Sequence, residues 1–282
     1  MSDSAAPQSS TATSPAPRRV RPRPQYRAVE VKNAVLITPQ MRRITVSGAA
    51  LAGFSTQGVA GHVRVLLPAP GQEAPVPPEW GPEGPVYQEG VPRPTSRAYT
   101  PRRWSEAEQE LDIDFVLHGD NGPASAWAAR AKPGDKLVVV APRRAYQPDP
   151  TAAWHLIAGD ESALPAIATI LEVLPATTWA IVYIEIDNPK EEQPLRSAAR
   201  LQIHWVHRRG AVPGVKLEAA VRQVSFPMGK GCAWVACEAM VMRNIRKYLL
   251  SERGMERAAI NTQGYWKLGA ANHPDHDTGE DV

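Results

Sequence analysis

The sequence predicts a β + α/β chain: an N-terminal antiparallel six-stranded β-barrel followed by a C-terminal doubly wound parallel sheet. Three observations carry that expectation. As far as Pro142, short alternating runs are broken by Gly and Pro, the pattern of a small closed antiparallel sheet. After Pro150 apolar strands alternate with helical patterns, which argues for a parallel sheet with crossover helices. The 282 residues are enough for two domains of ordinary size.

Each element has its own reason. Val29 to Ile37, Arg42 to Ser47 and His62 to Leu67 read as strands. Pro68 to Pro94, rich in Pro and Gly, is an insertion, because strands resume after it. Glu110 to His118 alternates cleanly: Leu111, Ile113, Phe115 and Leu117 point one way, Asp112, Asp114 and His118 the other. Pro123 to Ala131 is the barrel's helix, with Pro in its first turn. Lys136 to Val140 is a strand entered through the turn Pro133-Gly134-Asp135.

In the second half, Trp154 to Ala158 is a continuous apolar strand. A helix runs on to Leu174, capped by Ser162, with Leu164, Ile167, Ala168 and Leu171 on its inner face. Trp179 to Ile186, Ile203 to His207 and Ala233 to Ala236 are further strands. A helix from Glu238 follows, which Gly254 can terminate. The expected division is a disordered tail over 1–25, the barrel over 26–150, the α/β domain over 151–270 and a flexible polar tail over 271–282.

Charge and cysteines exclude several classes. The first 27 residues carry five Arg against one Asp, more than the whole chain's net +3, so the remainder is slightly acidic. The basic balance therefore does not argue for nucleic-acid binding. Arg18, Arg19, Arg21 and Arg23 fit a solvated tail more simply than a nucleic-acid or membrane-surface contact. No run of eighteen apolar residues predicts a membrane span, and the N-terminus lacks a secretion-signal stretch. Cys232 and Cys237 bound one apolar strand at an odd offset, so they face opposite ways and cannot pair. Reduced thiols suit a cytoplasmic protein.

The most informative run is Arg97-Ala98-Tyr99-Thr100-Pro101-Arg102, followed by His118-Gly119 and Gly122-Pro123-Ala124-Ser125-Ala126-Trp127. An aromatic face, a hydroxyl and guanidiniums on a strand, with a proline-started helix downstream, are the parts that hold a flavin and its pyrophosphate. Arg97 and Arg102 beside an apolar strand need either an anion or carboxylates. Tyr99 and Trp127 could equally be packing residues.

Four blocks in register carry a resemblance. They are Arg97-x-Tyr99-Thr100-x-Arg102; His118-Gly119 with Gly122-Pro123-Ala124-Ser125-x-Trp127-Ala128; Gly159-Asp160-Glu161-Ser162-Ala163-Leu164-Pro165-Ala166-Ile167; and Gly264-Tyr265-Trp266-Lys267-x-Gly269. From about Tyr26 to Gly269 the chain resembles the siderophore-interacting proteins, FAD-dependent ferric-siderophore reductases of the ferredoxin–NADP reductase superfamily. The resemblance implies FAD in the barrel, with Arg97 on the pyrophosphate, Tyr99 against the isoalloxazine and Thr100 near its reactive nitrogen. Gly122, Pro123, Ala124 and Ser125 would place backbone donors at the phosphates, and His118 and Trp127 would line the nucleotide side. Arg102 is expected among the same cofactor contacts.

The second-domain block Asp160, Glu161, Ser162 falls at the ligand crevice of a parallel sheet, and the resemblance places the Tyr265-Trp266-Lys267 segment close to the ring, with Trp266 as a packing partner. The block is not a G-x-G-x-x-G fingerprint, and two acids facing a pyrophosphate would repel it. The electron donor implied is NAD(P)H or a ferredoxin. Arg208 and Arg209 either hold an adenosine phosphate or are a solvated pair at a strand end. Cys237 stands where the resemblance leads one to expect Gly, and a thiol there would narrow the space for a nicotinamide.

The implied reaction is reduction of Fe(III) held in a siderophore, which loosens a chelate built from hard oxygens without any iron ligand from the protein. An anionic chelate calls for a basic lining, for which Arg243, Arg246 and Lys267 are the candidates, with Arg143 and Arg144 as further ones. His273, Asp275, His276 and Asp277 resemble metal ligands but sit in a polar tail. His204 and His207 flank Trp205 as packing or surface residues. No nucleophile elbow supports hydrolase chemistry. Two rival readings stay open: a flavin reductase of another acceptor such as a redox protein, and a non-enzymatic siderophore- or flavin-binding module.

Overall fold

The computed structural model describes residues 24–282 apart from 57, 120, 121, 144, 272, 275, 276 and 282, and the side chains of Ala141 and Arg143 are also outside the description. Residues 1–23 of the tail expected over 1–25 and the candidates Arg143, Arg144, Asp275 and His276 therefore lie outside it, wholly or in their side chains.

The first sheet is built from β1 (Tyr26–Thr38), β2 (Met41–Ser47), β3 (His62–Leu67), β6 (Thr95–Tyr99), β7 (Pro101–Ser105), β8 (Glu110–Val116) and β9 (Lys136–Arg143). A small hairpin, β4 (Glu79–Gly81) and β5 (Gly84–Val86), occupies the Pro-rich insertion. The antiparallel order is β6-β3-β9-β1-β2-β8-β7. The two edge strands are separated by Thr100 alone, so the sheet curls until its edges are successive halves of one chain run. Counted that way, the barrel has six staves. Thr100 sits at the point where pairing passes from β3 to β8.

Alternation decides the barrel's inside. Val29, Val31, Ile44, Val46, Val63, Val65, Leu111, Ile113, Phe115, Leu137 and Val139 form one core, closed by Ala124 and Ala128 of α1 (Pro123–Arg130). Asp112 and Asp114 face outward as expected yet are buried, because Arg43 and Arg103 lie over them as ion pairs at 2.7 and 2.9 Å.

The second sheet contains β10 (Trp154–Asp160), β11 (Trp179–Ile186), β12 (Arg200–His207), β13 (Gly231–Glu238) and β14 (Ile260–Trp266), all parallel in the order β12-β11-β10-β13-β14. In sequence rank this is 3-2-1-4-5, with the strand order reversing between β10 and β13. Helix α2 (Leu164–Leu171) covers one face; α3 (Val215–Arg222) and α4 (Ala239–Ser251) cover the other.

The barrel packs on the α2 side, where Met41 and Ala60 join the core of Ile157, Leu164, Ile167 and Trp234. Polar ties cross the same seam: Thr38 and the Gln40 N–H both donate to Glu191, and the Ala60 N–H donates to Thr169 Oγ1 at 3.0 Å.

Several expectations are corrected. The first helix of the α/β domain begins at Leu164 and ends at Leu171, because Ser162 is itself held in a turn by Asp160. Helix α3 and strand β14 were not foreseen. The first is only eight residues long and charged on its outer face, and the second alternates with Asn261 and Gln263. The C-terminal segment expected to be flexible is docked: Thr262 Oγ1 donates to the Thr278 carbonyl and the Gly264 N–H to the Asp277 carbonyl.

Candidate functional site

Arg97 is the central residue of β6 with its side chain half-buried, and Val65 is its partner in β3. Its guanidinium donates to two backbone carbonyls, Ser96 at 2.8 Å and Ala271 at 3.0 Å, and to no carboxylate among the described residues. The barrel's other paired arginines differ: Arg43 rests on Asp114, Arg103 on Asp112 and Arg102 on Glu172. A half-buried cation matched only by carbonyl dipoles retains capacity for an anion.

Helix α1 packs on β6 and supplies the complement. Its N-cap is Gly122, with no side-chain cap, and Pro123 follows. The first turn therefore leaves the N–H groups of Ala124 and Ser125 without intrahelical acceptors, at the positive end of the helix dipole. The Ser125 hydroxyl is occupied by the His118 N–H at 2.9 Å. A Cβ on Gly122 would come within 2.4 Å of the His118 ring, so glycine there is what lets the imidazole lie against the helix start.

Tyr99 is partly exposed, backed by Phe115 at a centroid distance of 4.1 Å, and Phe115 in turn contacts Trp127 at 5.8 Å. Burial pushes the Tyr99 phenol well above its usual range, so it stays neutral. Thr100 is buried and hydrogen-bonded to the Tyr265 hydroxyl, which ties the barrel junction to β14. A guanidinium without a carboxylate, open helix-start donors and an aromatic face thus lie on adjoining elements. That donor set fits a flavin and its pyrophosphate: Arg97 with the Ala124 and Ser125 amides for phosphate, Tyr99 for the ring.

The second-domain residues gather at the strand-order reversal. Asp160 Oδ2 accepts from Trp266 Nε1 at 2.8 Å and from the Glu238 N–H at 3.2 Å; Oδ1 accepts from the Ser162 N–H at 3.0 Å and from its hydroxyl. Burial, with the neighbouring Glu161 charge, raises its carboxyl to about 7. Glu161 is neutralised by Arg208 at 2.6 Å, and Arg208 also reaches the buried Glu185. The two acids are therefore not aimed bare at a ligand. Arg208 is committed, whereas Arg209 is exposed in a left-handed turn, its side chain without a partner among the described residues.

Other candidates fall elsewhere. Arg102 donates twice to Glu172 of the α2 C-cap, at 2.7 and 3.2 Å, which meets its charge with a carboxylate. Arg243 and Arg246 do not form an open basic lining. Arg243 is held by Asp277 at 2.6 Å and Asp281 at 3.3 Å, while Arg246 is buried at 4 % exposure and donates to Thr262 Oγ1 and the Ile260 carbonyl. Lys267 is exposed. His273 pairs with Asp277, whose carboxylate Arg243 also uses.

Cys237 is fully buried in the core against α4, and burial with nearby carboxylates drives its thiol well above the normal range. Cys232 and Cys237 are both unpaired, as the odd offset implies.

A cavity of about 830 Å³ runs along the seam between the barrel and α2, lined by Pro101, Arg102, Trp104, Leu164 and Glu172. It includes none of Arg97, Tyr99, His118 or the start of α1. Sequence reasoning missed Glu238, which caps α4 through its Met240 and Val241 N–H groups and also accepts from the Leu268 N–H. An acid directly before a helical pattern was the available signal.

Comparison with known proteins shows the family. The family described as "Siderophore-interacting FAD-binding domain" matches residues 30–146, and "Siderophore-interacting protein" matches 152–269. An uncharacterized Mycobacterium tuberculosis protein is 38% identical over 63% of this chain, which spans 66% of that relative's length. The Escherichia coli NADPH-dependent ferric-chelate reductase is 34% identical over 89% of this chain and 96% of its own. A siderophore utilization protein from T. fusca superposes with a TM-score of 0.81 at 36% identity, covering 90% of this chain and 97% of that one. No described helix is long and apolar enough to cross a membrane.

Proposed function

Since this chain belongs to the siderophore-interacting protein family, with its FAD-binding domain over residues 30–146, we propose that it is an oxidoreductase that reduces ferric siderophores with electrons from NADPH. The observation that carries the reading is Arg97, a half-buried guanidinium with no carboxylate partner among the described residues, on the strand against which the uncapped helix α1 packs.

Bound FAD would supply the ability to accept two electrons together and release them singly. The protein's own part is binding and orientation. Arg97 and the α1 amides would hold the pyrophosphate, Tyr99 would present its flat face, and Thr100, fixed by Tyr265, would offer a hydroxyl at the barrel junction. Arg209, just past the end of β12, would be the candidate for a nucleotide phosphate, since Arg208 is committed to Glu161. Ferric iron arrives inside its chelate as substrate. Reduction weakens binding by hard oxygens, so the chelator releases the metal without a protein ligand.

The test is purification with added FAD, followed by anaerobic mixing with NADPH, NADH and reduced ferredoxin in parallel. The expected result is stoichiometric flavin, bleaching by NADPH, and reoxidation by a ferric siderophore with ferrous iron trapped by a chelator. Bleaching by ferredoxin alone would replace the donor, and reoxidation only by a redox protein would replace the substrate. Protein that takes up no flavin would overturn the reading.

A further inference from the structure

The cradle around Arg97 accounts for one side of the site. It leaves unexplained a buried carboxylate aimed at the C-terminal segment. Asp160 ends β10 with only 3 % of its surface exposed, at the strand-order reversal. Its Oδ2 takes the Trp266 indole N–H at 2.8 Å. One strand over, Glu238 Oε1 takes the Leu268 N–H at 3.1 Å. The two residues are themselves linked, because the Glu238 backbone N–H donates to the Asp160 carboxylate. The segment that begins at Trp266 is therefore gripped at two points, and three residues beyond Leu268 the Ala271 carbonyl meets the Arg97 guanidinium at 3.0 Å. Contacts of fixed geometry run from the α/β sheet edge to the proposed phosphate-binding arginine.

We propose that Asp160 is a positioning residue for the cofactor site, holding the Trp266 indole and thereby the Trp266–Ala271 segment against Arg97. The inference rests on the FAD reading of that site. Asp160 acts through Trp266 rather than by touching a ligand, and a buried acceptor with four donors fixes its partners more rigidly than an apolar contact would.

The groups around Asp160 define its electrostatics. Glu161, paired with Arg208, and Glu238 face it; Cys237 on β13 and Tyr265 on β14 sense its charge. The carboxyl titrates at about 7, and the indole N–H bond strengthens when its acceptor ionises. The environment of Trp266 should thus change across neutrality.

Two measurements test this. Tryptophan emission of the flavin-free protein is followed against pH, with Trp266→Phe as the subtraction. A Trp266-dependent transition with its midpoint near 7 is expected in the parent protein and should vanish in Asp160→Asn. In the second, FAD affinity is measured by calorimetry. Asp160→Ala and Trp266→Phe should each weaken it about tenfold, the scale of one lost charge-assisted hydrogen bond, and Asp160→Asn, which keeps an acceptor, by less. If Asp160→Ala does not fold, Trp266→Phe carries this arm, because it leaves the other three bonds to Asp160 in place.

Unaltered emission in Asp160→Asn, or parent-like FAD affinity in Trp266→Phe, would overturn the proposal. Failure of the parent protein itself to bind FAD would sink the cofactor reading, while the emission arm, run without flavin, still decides whether Asp160 positions Trp266.

Discussion

Arg102 and Glu172 join the barrel to the second domain through two hydrogen bonds, 2.7 and 3.2 Å, from one guanidinium to one carboxylate. The pair lies on the seam cavity, away from the Arg97 cradle. Its carboxylate is 39% exposed, so solvent screens part of the attraction. Arg102→Ala should cost no more than about 1 kcal/mol in urea unfolding and leave FAD affinity near the parent value. The charge-reversed double variant Arg102→Glu/Glu172→Arg should recover most of that loss. A collapse of FAD binding in Arg102→Ala would return Arg102 to the cofactor site.

Arg97 should behave in the opposite way. It forms no ion pair among the described residues, so Arg97→Ala should shift the melting temperature of the flavin-free protein little while weakening FAD about 10- to 100-fold. Arg97→Lys should recover only part of the affinity, because a point charge cannot reproduce a planar fork. Paired melting curves with and without FAD read both effects.

Asp160 makes stability depend on pH with a definite sign. The folded carboxyl keeps its proton to about 7, whereas an unfolded aspartate releases it near about 4. Between those values the folded state binds more protons, so this group's contribution is full below the lower value and falls as pH rises, being lost above 7. Asp160→Asn removes the titration. Its stability relative to the parent should therefore rise from about pH 4 to about pH 7 and level off beyond, as read by denaturant midpoints along the series.

Cys237 offers a test of the crevice. Its thiol is in the α4-side core, so Cys237→Gly should leave the KM for NADPH unchanged and cost about 1 to 2 kcal/mol through lost burial and added chain freedom. An improved KM with unaltered stability would show that the thiol obstructs the nucleotide after all. In the folded parent protein, iodoacetamide should leave it unmodified, because it is buried and its thiolate is disfavoured.

Much of the fold was legible because the signals are local. Alternation in Glu110 to Phe115, the apolar run of β10 and the proline at the start of α1 each declare themselves within a few residues. The Arg97–Tyr99 strand and the Gly122-Pro123 helix start could be read as neighbours in one motif. Helix α3 and strand β14 escaped because their apolar residues are few and their remaining positions polar. The clamp that Glu238 applies to Leu268 escaped because it lies beyond a strand not foreseen, whereas its cap on α4 was signalled by an acid directly before a helical pattern.

By itself, then, the sequence determined the two kinds of sheet, the barrel helix and the chemical types present at the flavin motif, all properties of short-range pattern. Only the tertiary structure decided the fate of the charges. Arg102 meets Glu172 across 70 positions, Arg243 meets Asp277 across 34, and Trp266 meets Asp160 across 106. Periodicity says which way a side chain points, but whether a buried or half-buried charge is spent or free depends on what the folded chain brings opposite it.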